Sequence, residues 1–140
     1  PWAIGAIARG TLPYPLKEET KVAWTSVGDL ATATADLVEK GFSGGERWTV
    51  TGAEDLTGAE LATRLSVGTG REIAYRYFPE DDFEASLAPL YGPHGAKALA
   101  DHYRDANRAP TGNLMTLGEG TIRGGLAAEW AAARLRPALG

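Results

Sequence analysis

The 140-residue sequence contains no cysteine. That absence removes disulfides, thiolate metal sites, iron–sulfur clusters and cysteine nucleophiles together, and leaves the redox compartment open. Basic charge is also scarce: 14 Lys and Arg stand against 18 Asp and Glu, for a formal charge of −4 and a pI near 5.2. A binder of phosphate backbones needs a basic face, so nucleic acid is not expected as a partner. Long apolar runs are missing. The stretch over residues 1–8 is apolar, but a membrane span needs about 20 such residues, and no charged leader accompanies it. The expectation is a chain with no membrane partner and, by default, a cytoplasmic location. No Gly-x-Ser-x-Gly elbow occurs, which removes one common setting for a nucleophilic serine. Only two histidines are present, His94 and His102, and their spacing matches no metal-ligand set, so no metal is expected.

What remains is the composition of an ordinary globular chain, 44% hydrophobic and 23% charged, of a length that suits one domain over residues 1–140. Gly10 closes a short apolar helix. Pro13 and Pro15 then impose an extended segment, an edge strand or loop. Residues 22–27 are β-branched and aromatic and read as a strand ended by Gly28. Asp29 reads as the N-cap of a helix over residues 30–40, with Leu30, Ala33, Leu37 and Val38 as its apolar stripe and Gly41 as its stop. A strand follows over residues 48–51. Thr57 and Glu60 form a capping box for a helix to about Val67, ended by Gly70. Residues 73–78 make a third strand. Acidic residues 80–82 open a helix to about Leu90, and Pro93 opens another over residues 94–107. Residues 109–125 read as a glycine-rich loop, a lid or pocket wall. A last helix over residues 126–135 stops before Pro137. Strand, helix, strand, helix, strand and a helical tail indicate an α/β fold with a short, mainly parallel sheet and flanking helices.

The order Val22-Ala23-Trp24-Thr25-Ser26-Val27-Gly28-Asp29-Leu30-Ala31, then Gly44-Gly45-Glu46-Arg47-Trp48-Thr49-Val50-Thr51-Gly52-Ala53-Glu54-Asp55-Leu56-Thr57, then Glu60-Leu61-Ala62 and Gly70-Arg71-Glu72-Ile73 resembles the C-terminal half of NmrA-like proteins. These are atypical short-chain dehydrogenase/reductases with a Rossmann core. The resemblance covers residues 1–90 well and the helical tail more loosely. It implies a truncated Rossmann-like scaffold that keeps the portion closing over a small-molecule substrate.

One departure from that family carries consequences. Its members bind NAD(P) through a glycine-rich turn between the first strand and first helix, where helix-terminal amides meet the pyrophosphate. Here Gly41-Phe42-Ser43-Gly44-Gly45 leaves a helix and enters a strand, and Gly118-Glu119-Gly120 follows no predicted strand. The resemblance therefore implies half of a larger fold, with no cofactor of its own. The strand at residues 48–51 would lose its neighbouring sheet, so a homodimer is expected to cover the exposed edge.

The densest acid–base groups are Tyr91-Gly92-Pro93-His94 and Asp101-His102-Tyr103-Arg104-Asp105. Histidine takes and gives a proton near neutrality. His102 lies beside the apolar stripe of its helix: it is either a solvated margin with ordinary ion pairs or a catalytic group held by Asp101, with Tyr103 and His94 nearby. Trp24, Tyr14, Tyr91 and Asp105 are the candidate substrate contacts, for a flat apolar ligand. The leading expectation is a cofactor-independent enzyme for dehydration, cyclisation or isomerisation of an aromatic or polyketide-like substrate. Two others stand beside it: a non-catalytic ligand-binding or regulatory module, and the substrate-binding piece of a split NAD(P)-dependent reductase.

Overall fold

The structure is a computed structural model and describes residues 3–41, 45, 47–108 and 120–140. The expectations for Trp2, for Phe42, Ser43 and Gly44, and for residues 109–119 of the long loop lie outside the described residues. The chain is α/β, with short, mostly parallel sheets, flanking helices and a helical C-terminal end.

Helix α1 (Ile4–Ala8) ends at Gly10, whose φ of 82° only glycine adopts without strain. Strand β1 (Thr11–Tyr14) runs parallel to β5 (Ala74–Tyr77). Pro13 fits because β1 has a partner on one side only. The expected strand over residues 22–27 shrinks to β2 (Val22–Ala23), paired antiparallel with β4 (Asp55–Leu56). Trp24 donates its indole N–H to the Leu56 carbonyl at 3.0 Å, and the Thr25 hydroxyl bonds back to the Ala23 carbonyl at 3.1 Å, which ends the ladder.

Helix α2 (Val27–Lys40) starts earlier than expected, and Ser26 rather than Asp29 is its N-cap: the Ser26 hydroxyl accepts from the Asp29 amide at 3.0 Å. Asp29 sits in the first turn, where its charge suits the helix dipole. Ala33 is the residue of the expected stripe that is buried, while Leu30 and Val38 are 50% and 61% exposed. Strand β3 (Trp48–Thr51) pairs in parallel with β6 (Gly120–Arg123), a strand placed where a loop was expected. Among the described residues the expected single sheet is three two-stranded ones, and one edge of β3 is covered by β6.

Thr57 and Glu60 form the capping box of α3 (Gly58–Thr69), and Gly70 ends it with φ 71°. Gly68 lets the C-terminal helix approach: a Cβ there would lie 2.2 Å from the Ala128 carbonyl oxygen. Helix α4 (Glu80–Arg108) is two helices joined at Gly92, where φ is 70° and ψ 167°. The tail is α5 (Ala127–Trp130), a π-helical segment (Ala131–Leu135) and α6 (Arg136–Leu139). It therefore passes Pro137 rather than stopping before it. Widening the preceding turn makes room for the ring, which otherwise clashes with the carbonyl four residues back.

Two apolar clusters result. The larger packs Leu12 of β1, Leu61 and Leu65 of α3 and Leu135 of the tail against Ile7. The smaller lies inside the α4 hairpin, around Phe83, Leu87, Ala96 and Ala100. Asn107 ties that hairpin to the segment after β1: its amide nitrogen donates to the Pro15 carbonyl at 3.0 Å and to Glu80 at 2.7 Å. Its oxygen accepts from the Lys17 amide at 2.8 Å and the Thr20 hydroxyl at 3.2 Å.

Candidate functional site

A cavity of about 210 Å³ opens beside the larger cluster. Its floor is aliphatic, from Ile7, Leu12, Leu61, Leu65 and Leu135; Tyr14, Trp24 and Trp130 supply aromatic walls. Thr25, Ser26 and Asp29, together with Gly125 and Ala127, complete the lining. A cavity of about 150 Å³ is enough to hold a benzene, so this one suits a group of one or two fused rings.

The aromatic wall is held in place before any ligand arrives. The bond from Trp24 to Leu56 fixes the indole, whose ring meets Tyr14 edge-on at 4.8 Å and 73°. Tyr14 is turned toward the cavity at the end of β1, and its phenol oxygen lies 2.8 Å from that of Tyr103. Burial, reinforced by the neighbouring Tyr103 phenol, pushes the Tyr14 pKa far above its ordinary value, so this hydroxyl stays protonated.

The polar side of the cavity comes from the turn between β2 and α2. The Ser26 hydroxyl is spent as a cap. The Asp29 carboxylate has no hydrogen bond or ion pair among the described residues, and it faces the Gly124-Gly125 turn leading into α5. A Cβ on Gly124 would come within 2.6 Å of a carboxylate oxygen, so the approach depends on glycine there. The Gly124 amide donates to the Thr51 carbonyl at 2.6 Å, which ties the turn to β3.

Of the residues singled out from sequence, Tyr14 and Trp24 line the cavity. Tyr103 stands behind Tyr14 and packs on Phe83 at 5.3 Å. The others lie on α4 outside the lining. His94 and His102 are exposed, and Tyr91 is exposed beside the kink. Asp101 bonds to Lys97 at 2.5 Å and Arg104 at 2.7 Å, and these two cations hold its carboxyl below the usual range. Asp105 pairs with Arg108 at 2.8 Å. Arg104 also reaches Asp81 at 2.5 Å and Glu84 at 2.8 Å. The charge density that drew notice in the sequence thus clamps the two halves of α4 together. Asp29 was legible as a helix-start residue, whereas Ser26 read as part of a strand; nothing in their spacing announced a cavity, because its other walls come from α3 and the tail.

Whether the described residues fit a dinucleotide can be asked at each turn from strand into helix, since a pyrophosphate needs free amides there. Four such turns occur among the described residues. The β2–α2 turn has the Ser26 cap and Asp29 in its first helical turn. After β4 the Thr57 and Glu60 box takes the amides of the Glu60 and Thr57 backbone. After β5 the first turn is Glu80, Asp81 and Asp82, which repels phosphate. After β6 the turn has two glycines, but the Asp29 carboxylate lies against them. The described residues do not fit a bound dinucleotide. Among them, no group of three or more His, Asp or Glu side chains is placed to hold a metal ion, and no helix is long and apolar enough to cross a membrane.

Fold and cavity together define an α/β protein with a small, largely apolar site. No family model matches the chain. An NAD(P)H azoreductase from Xenophilus azovorans is similar to it, 34% identical over 67 residues, which are 48% of this chain and 23% of that protein. The likeness is to a reductase, and it spans about a quarter of the relative's length.

Proposed function

We propose that this chain is the substrate-binding part of an NAD(P)H-dependent reductase of NmrA-like type, with the nicotinamide held by a dinucleotide-binding unit other than the residues described here. The observation that carries the reading is the cavity: an apolar floor, a preorganised Tyr14–Trp24 wall and polar groups confined to one side make a site for the flat part of a small substrate. The partial likeness to an azoreductase supports the reductase class, and the lack of a phosphate-accepting turn among the described residues supports a separate cofactor unit. Neither histidine lines the cavity, so a histidine-based dehydration or cyclisation gains no support from its geometry.

Self-association belongs to the same proposal on altered grounds. β6 pairs one edge of β3, so the proposal rests instead on the apolar exposure, among the described residues, of α2, where Val27 is 83% and Val38 61% exposed. A second copy would cover it.

The cavity reading is tested by titrating the protein with naphthalenemethanol, a neutral bicyclic alcohol, while following the fluorescence of its four tryptophans, of which Trp24 and Trp130 line the cavity. Saturable quenching is expected, and Ala127→Trp, which fills the cavity from the tail, should abolish it. Quenching that persists undiminished in the filled variant would place the ligand elsewhere and sink the reading.

A further inference from the structure

We infer that the cavity selects ligands carrying a cationic nitrogen, a protonated amine on a flat aromatic group, and that Asp29 is the residue that imposes this choice. The inference rests on the cavity being the ligand site, and it names the class of ligand that site takes.

Three features of Asp29 carry it. Among the described residues, Asp29 is the one charged side chain in the lining. Its carboxylate is unpaired among the described residues, whereas the acidic side chains flanking Arg104 are engaged in ion pairs. It is also held at one place: its own amide is anchored on Ser26 at 3.0 Å, and the carboxyl packs on Gly124, where no Cβ intervenes. A fixed anion at the rim of an apolar site attracts a cation and repels an anion, and the low-dielectric walls strengthen both effects relative to open water. An aromatic ammonium satisfies the whole site: the rings lie on the Leu61 and Leu65 floor against Trp24 and Tyr14, and the N–H groups reach Asp29. The aromatic walls add a second attraction for the same charge, because ring faces carry negative potential.

The test uses three probes that share one bicyclic group: naphthylmethylamine, protonated near neutral pH; naphthalenemethanol, neutral; and naphthoate, anionic. Each is titrated by calorimetry into the wild type and into Asp29→Asn, which keeps the side-chain shape and leaves the backbone anchor to Ser26 in place. The wild type should bind the amine about fivefold more tightly than the alcohol, as one partly exposed ion pair warrants, and the acid least. In Asp29→Asn the affinity for the alcohol should hold while the amine's advantage disappears. Added salt should weaken amine binding to the wild type and leave the alcohol unaffected, a readout that needs no variant. If the alcohol binds and the amine binds no better, or if Asp29→Asn retains the preference, the assignment to Asp29 is overturned and the cavity reading stands. If none of the three binds, both fall.

Discussion

The phenol oxygens of Tyr14 and Tyr103, 89 residues apart in sequence, lie 2.8 Å from each other and join the cavity wall to the α4 hairpin. Replacing Tyr103 by Phe leaves the Tyr14 hydroxyl without that partner in a largely buried place. A loss of about 1 kcal/mol or more is expected in urea unfolding. In the double variant Tyr14→Phe/Tyr103→Phe the loss should be smaller than the sum of the two single losses, because each single change already removes the bond the two groups share. Strict additivity would show that the two groups do not interact.

Alkaline pH should unfold the chain through the same region. Burial pushes the Tyr75 pKa up to about 12, and burial raises Tyr14 further still, against about 10 for the unfolded chain. Below that unfolded value the contribution of both groups is fully present. As pH rises above it, the unfolded chain sheds protons the folded chain retains, so stability falls across the interval up to the folded values. Tyrosinate absorbance and circular dichroism followed together should show part of the ionisation arriving only with unfolding. If all five tyrosines titrate near pH 10 in a chain that stays folded, the buried placement of Tyr14 and Tyr75 is wrong.

Asn107 is 6% exposed and bonds to four groups on two segments. Asn107→Leu strands the buried Thr20 hydroxyl and the Lys17 amide, and it should cost about 2 kcal/mol or more in chemical denaturation. Thr20→Val, which removes one acceptor bond from the same hub, should cost less. Equal losses would show that the hub does not hold the segment after β1 to α4.

How much of this was legible in the sequence depends on where each feature gets its cause. The Thr57 and Glu60 box, the stop at Gly70 and the acidic start of α4 were readable because local chemistry alone creates them. β6 was not, since a short strand after a glycine-rich stretch becomes a strand only through its partner β3. The shortened β2 was hidden for the same reason: the indole bond from Trp24 to a carbonyl 32 residues away ends it. In the site, Tyr14 and Trp24 stood out as aromatics near loop ends. Asp29 was visible only as a helix-start acid, and the close packing of its carboxylate depends on Gly124, 95 residues further along. The residues around His102 carry a composition that a salt-bridged helical hairpin and an acid–base cluster share, so sequence alone does not separate the two.

The bare outer face of α2 should make the protein self-associate. Light scattering coupled to size-exclusion chromatography is expected to give a dimer, and Val38→Glu, which places charge on that face, should shift it to monomer. A wild type that stays monomeric at every concentration would remove this part of the proposal.

Separation of the substrate side from the dinucleotide is tested most directly by calorimetric titration of the same wild-type protein with NADPH and, separately, with naphthalenemethanol. Saturable binding of the aromatic alcohol and no binding of NADPH are expected. Saturable NADPH binding to this chain alone, with no binding of the alcohol, would contradict both the reading of the cavity and the assignment of the cofactor to another unit.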